Sequence, residues 1–158
     1  MRLRAALVAA LVVAAPSDPH RFALTSTGRV KGASGVVRLV PASSPFGVAV
    51  TADGHTTYDL TLTVAGLPDP PSLGAFTAYI AWIATPDLGS VERLGAIAQG
   101  RPVAGRTSWN KFVIVVTAEA STRAEKRRGP SLLVGRSPSA TMQSFADHPF
   151  YNTGAPPF

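Results

Sequence analysis

From residue 57 to residue 64 the side chains alternate without a break: Tyr58, Leu60, Leu62 and Val64 are apolar, and Thr57, Asp59, Thr61 and Thr63 are polar. A period of two belongs to a β-strand with one buried face, so the Thr and Asp side chains are expected to point to solvent. Phe46, Val48 and Val50 show the same period just upstream, with Ala52-Asp53-Gly54-His55 between the two runs. The sequence therefore predicts a hairpin over residues 46–64 closed by an Asp-Gly turn, where glycine accepts the positive φ that a tight turn needs. Gly66-Leu67-Pro68-Asp69-Pro70-Pro71 then ends the ladder, because proline has no N–H to donate.

Residues 76–83 and 112–116 are apolar at nearly every position, the pattern of central strands covered on both faces. Residues 36–40 and 131–135 read as the first and last strands, and residues 90–97 alternate less cleanly. Residues 99–108, with their Gly, Pro and Arg, read as a loop. That makes seven strands, with a helical turn or two expected only within residues 118–128. Gly and Pro number 14 each, and charged residues make up 15%, against the ~25% usual in soluble domains. The expected fold is all-β, an immunoglobulin-like antiparallel sandwich of about seven strands, with a small β-barrel as the alternative.

Met1-Arg2-Leu3-Arg4 is a basic n-region, and an unbroken apolar stretch runs from Ala5 to Ala15. It falls short of the ~20 residues a membrane-spanning helix needs, so it reads as a signal peptide with cleavage after Ser17. The alternative is that residues 5–15 stay uncleaved as an anchor. The resulting division is residues 1–17 as signal peptide, 18–30 as an N-terminal extension, 31–140 as the β-sandwich domain and 141–158 as an extended aromatic and Pro-rich tail. Export predicts a periplasmic or secreted location. Loss of Arg2 and Arg4 lowers the net charge from +6 to +4. With no cysteine in the chain, the core must hold the fold without disulfides.

No catalytic, cofactor-binding or metal-ligating constellation is legible. His20, His55 and His148 lie in separate regions, and a blue-copper site would need the thiolate the chain lacks. Met142 with His148 would be a two-ligand site at most. Ser137-Pro138-Ser139 lacks the glycine frame of a nucleophile elbow, and Gly28, Gly32 and Gly35 do not lead into a helix as a phosphate-binding loop would. Asp59 and Glu92 read as outward-facing strand residues rather than an acid–base pair. The basic run Arg123-Ala124-Glu125-Lys126-Arg127-Arg128 has no interleaved aromatic, so it reads as a solvated loop and not as a nucleic-acid site. Tyr79, Trp82 and Trp109 read as core rather than as stacking platforms. No cofactor is expected, and the chain is not expected to be an enzyme.

Val64-Ala65-Gly66-Leu67-Pro68, Thr77-Ala78-Tyr79-Ile80-Ala81-Trp82, Thr85-Pro86-Asp87, Arg93-Leu94-Gly95, residues 112–119 and Ser131-Leu132-Leu133-Val134-Gly135 together resemble the extracytoplasmic β-sandwich domain of anti-sigma-K factors. The resemblance covers residues 62–139 and implies a sensor or accessory domain. The sigma-binding helical region of that family has no counterpart here, so sequestration of a sigma factor is not implied. Accessory domains of exported multicopper-oxidase-like proteins are similar more distantly, but the chain has no His-x-His copper motif.

The leading expectation is an exported, non-catalytic protein-interaction or structural module whose partner is another exported or membrane protein. The sensor or accessory role is the alternative, and an enzyme with an unrecognised site is the third reading. Phe145, Phe150, Tyr151 and Phe158 crowd aromatics into the tail and are the candidate docking residues.

Overall fold

The computed structural model describes residues 18, 20–98 and 100–141, which form an all-β antiparallel structure. The strands are β1 (Arg21–Ser26), β2 (Ser34–Pro41), β3 (Ser43–Ser44), β4 (Gly47–Val48) and β5 (Tyr58–Ala65). They continue with β6 (Ala78–Ala84), β7 (Val91–Ile97), β8 (Val103–Thr107), β9 (Val113–Glu119) and β10 (Ser131–Arg136). Eight of them make one sheet in the order β7-β6-β9-β10-β1-β2-β5-β8, while β3 and β4 form a separate two-stranded arm. The sheet folds over on itself until its two ends meet. β7 and β8 come together there, and a Cβ added at Gly95 would lie 3.1 Å from Val103 Cγ1. The result is a nearly closed structure between a sandwich and a barrel.

Strand β1 joins the two halves. Its residues 21–24 pair with β2, and Thr25 and Ser26 pair with β10. Leu24, at the switch, is 1% exposed and lies between two glycines. A Cβ at Gly35 on β2 would come within 3.3 Å of it, and one at Gly135 on β10 within 2.9 Å. The bend therefore needs a large side chain on β1 and none opposite it on either neighbour.

The alternation is realised across β5: Leu60 and Leu62 are buried and Tyr58 and Val64 half-buried, while Asp59, Thr61 and Thr63 are exposed. Together with Val37, Leu39, Tyr79, Ile83, Ile114 and Val116 they form the main core. The runs read as central strands are β6 and β9, buried at every position and interior to the sheet.

Four expectations need correction. Residues 18–30 are not a mere extension, because β1 lies within them and ties the sheet together. Residues 99–108 are not only loop, because β8 covers the edge of β5 there. The hairpin over residues 46–64 shrinks to a single bridge, Val50 with Thr56, around the expected turn, in which Gly54 has a φ of 84°. Phe46, Val48 and Val50 belong to or flank the β3–β4 arm and face solvent, since β2 rather than this segment occupies the pairing edge of β5. Residues 118–128 hold no helical turn. The short helical pieces are Pro70–Leu73 and Pro138–Thr141.

Candidate functional site

Strand β6 is apolar on both sides, so one side must find cover outside the main core. Tyr79, Ala81 and Ile83 point into the core, while Ala78, Ile80 and Trp82 form a second cluster on the other face, with Ala124 packed against it. Ala124 belongs to the segment of residues 120–130 that joins β9 to β10. A chain of polar contacts fastens this segment down. The Trp82 indole N–H donates to Thr117 Oγ1 at 2.8 Å, and the Thr117 hydroxyl donates to Glu119 Oε1 at 2.6 Å. Glu119 also accepts from the backbone N–H groups of Arg128 and Gly129 at 3.1–3.2 Å.

Thr117 and Glu119 are 0% and 3% exposed, so the bonds from Trp82 to Thr117 and from Thr117 to Glu119 act where water does not compete. With one hydroxyl and two amides already on its oxygens, the Glu119 carboxylate acts as a clamp for the returning chain. Gly129 has to be glycine here, because a Cβ would fall 1.6 Å from the Ala118 carbonyl oxygen. Further ties come from Arg93, which donates to the Thr122 carbonyl at 2.8 Å, and from Thr77, which donates to the Ala120 carbonyl at 2.7 Å.

The clamped segment leaves a groove of about 520 Å³ whose rim carries Arg123, Lys126 and Arg128, with Glu125 as the one acidic neighbour on that rim. These basic side chains are exposed, in keeping with the solvated loop read from the sequence.

At the opposite end of the strands, His20, Tyr58, Trp109 and Pro138 line a smaller groove of about 160 Å³ above the buried Phe112. Trp109 is only partly buried, whereas Tyr79 and Trp82 are core as expected. His20 and His55 each lie beside an exposed aspartate, Asp18 at 3.8 Å and Asp53 at 3.3 Å. The described residues contain no group of three or more metal-ligating side chains. The four tail aromatics Phe145, Phe150, Tyr151 and Phe158, and also Met142 and His148, lie outside the described residues.

The β3–β4 arm is a further feature of the surface. Ser44 pairs with Gly47 across a two-residue loop, Pro45-Phe46, and Phe46 at its tip is 100% exposed. Val48 and Val50 follow at 53% and 61% exposure, with Val40 adjoining at 48%. The sequence carried a signal for this arm in Ser-Pro-Phe-Gly, a proline-led turn at the start of the alternating run.

No protein-family model, no curated protein and no solved structure matches this chain.

Proposed function

We propose that this chain is an exported, non-catalytic interaction module that engages a protein partner through the β3–β4 arm. The observation that carries this reading is the full exposure of Phe46 at the tip of the arm, with Val48 and Val50 behind it. An isolated two-stranded hairpin gains little from its own burial. Covering such side chains with a partner would contribute roughly 25 cal/mol for each Å² of apolar surface removed from water. Projecting aromatics are the usual anchors of protein interfaces.

The chemistry of the arm favours a protein over a lipid surface. Residues 42–58 include Asp53 and His55 but neither Lys nor Arg, so the arm lacks the basic side chains that draw amphipathic segments to anionic bilayers. The basic n-region and the short apolar run that follows it support export, and with it a partner that is itself an exported or membrane protein.

A photoreactive phenylalanine analogue at position 46 tests the docking role, with the same analogue at exposed Thr25 as control. The expected result is a discrete adduct with one other exported protein from position 46 alone. Adducts only between copies of the chain, or none beyond the control, would overturn the reading. Mass spectrometry of the exported protein tests the location separately, with an N-terminus at Asp18 expected. An intact Met1 in carbonate-washed membranes would mean an anchored protein.

A further inference from the structure

On the outer face of the β1–β2–β5 half, the ladder brings two arginines together. Phe22 and Leu24 on β1, and Val37 and Leu39 on β2, turn toward the main core, so Arg21 and Arg38 turn outward. The two are direct cross-strand partners. The Leu39 N–H donates to the His20 carbonyl at 2.7 Å, which makes residues 20 and 39 a hydrogen-bonded pair. The next pair along, Arg21 with Arg38, is then a non-hydrogen-bonded one, the kind in which facing side chains come closest.

Like charges in this position repel. Elsewhere on the same face the chain answers a cation with a carboxylate: Arg106 Nε lies 2.7 Å from Asp59 Oδ1. Neither Arg21 nor Arg38 has such a partner among the described residues. The Asp18 carboxylate, at the rim, accepts from the His20 backbone N–H at 2.9 Å.

On the third strand Thr61 stands opposite Arg38, and Thr63 opposite Val36. Both threonines are exposed and share the arginines' face. The arginines, the threonines, Ser34 and Asp18 surround a depression of about 590 Å³, which Val36 and Ala65 also line. Two guanidinium forks beside hydroxyl donors match a tetrahedral oxyanion. Its several oxygens can accept from both forks at once and cancel their repulsion.

We propose that Arg21, Arg38, Thr61 and Thr63 form a binding site for a phosphate group. Its source is either free phosphate or the headgroup of an anionic lipid, and the test separates the two.

Inorganic phosphate is titrated into the full chain at low ionic strength and followed by NMR, including the arginine side-chain Nε–H signals. Saturable shifts centred on residues 21, 38, 61 and 63 are expected. Arg38→Gln and Arg21→Gln should each weaken binding by about tenfold or more, since half of the charge-assisted donors are lost. Arg127→Gln, in the 120–130 segment, should leave binding unchanged. Without phosphate, Arg38→Gln should melt no lower than the wild type, because it relieves the repulsion, so a weakened site cannot be ascribed to misfolding. Phosphate should then raise the melting temperature of the wild type more than that of Arg38→Gln. In the second arm the proteins are sedimented with phosphatidylglycerol vesicles. Vesicle binding that needs Arg38 and is displaced by inorganic phosphate identifies a lipid headgroup, whereas phosphate binding without vesicle binding identifies the free ion. Three results would overturn the proposal: shifts that do not saturate, an equal loss in Arg127→Gln, or binding of neither probe.

Discussion

Trp82 and Thr117 lie on adjacent strands, and the indole N–H of one donates to the hydroxyl of the other at 2.8 Å on the face of the sheet turned away from the main core. The threonine passes the polarity on, donating in turn to Glu119, which holds the amides of residues 128 and 129. The outer surface of β6 is thus sealed by a segment with no regular structure, held by a buried carboxylate together with the ties from Arg93 and Thr77.

Glu119→Ala is expected to cost about 2 kcal/mol, because it strands the buried Thr117 hydroxyl and removes the acceptor of two part-buried amides. Glu119→Gln, which keeps one acceptor oxygen, should cost less. Urea unfolding measures both, and hydrogen exchange at the Gly129 amide should speed up in parallel. Wild-type stability in Glu119→Ala would mean that the clamp is incidental.

Gly129→Ala should displace the same segment by a different route, since its Cβ would collide with the Ala118 carbonyl. The indole of Trp82 would then meet water, so a red shift of tryptophan emission is expected together with a lowered melting temperature. An unshifted spectrum would show that the segment reseals without its hydrogen bonds.

The register of β5 predicts opposite outcomes for adjacent substitutions. Leu62 is 1% exposed, and Leu62→Asp should cost several kcal/mol by burying an unpaired charge. Thr61→Asp places its carboxylate across the ladder from Arg38 on the exposed face and should be neutral or slightly stabilising. Thermal melts of the two variants decide the matter, and equal losses would contradict the register.

Tyr79 gives a dependence on pH. Burial, and secondarily the nearby Asp69 charge, push its phenol above the ordinary value, and its hydroxyl donates to the Pro68 carbonyl at 2.6 Å. A raised folded-state pKa contributes stability that is complete below the unfolded value of about 10 and is lost as pH rises through the folded value. Tyr79→Phe should therefore be less stable by about 1 kcal/mol at pH 7, from the lost hydrogen bond. The gap to wild type should narrow above pH ~10. Denaturant melts at both pH values test this, and a gap that widens at high pH would reverse the assignment.

Local periodicity was enough to reveal the all-β character, the buried face of β5 and the two-sided burial of β6 and β9, because each depends only on which side successive residues of one strand face. The turn at Gly54 was legible because Asp-Gly accepts the positive φ found there. Strand β1 carries a readable alternation in Phe22 and Leu24, but its bridging role depends on β10, more than 100 residues away in the chain. β8 has only Val103 and Thr107 buried, too little apolar content for the segment to be distinguished from a loop. Phe46 has a strand-like pattern and still faces water, because pairing with β5 went to β2. Glu119 at the end of an apolar run is an anomaly that sequence alone leaves without a partner. Its partners, and the meeting of Arg21 with Arg38, exist only once the strands are in register, since alternation sets the face of a residue but not what stands opposite it.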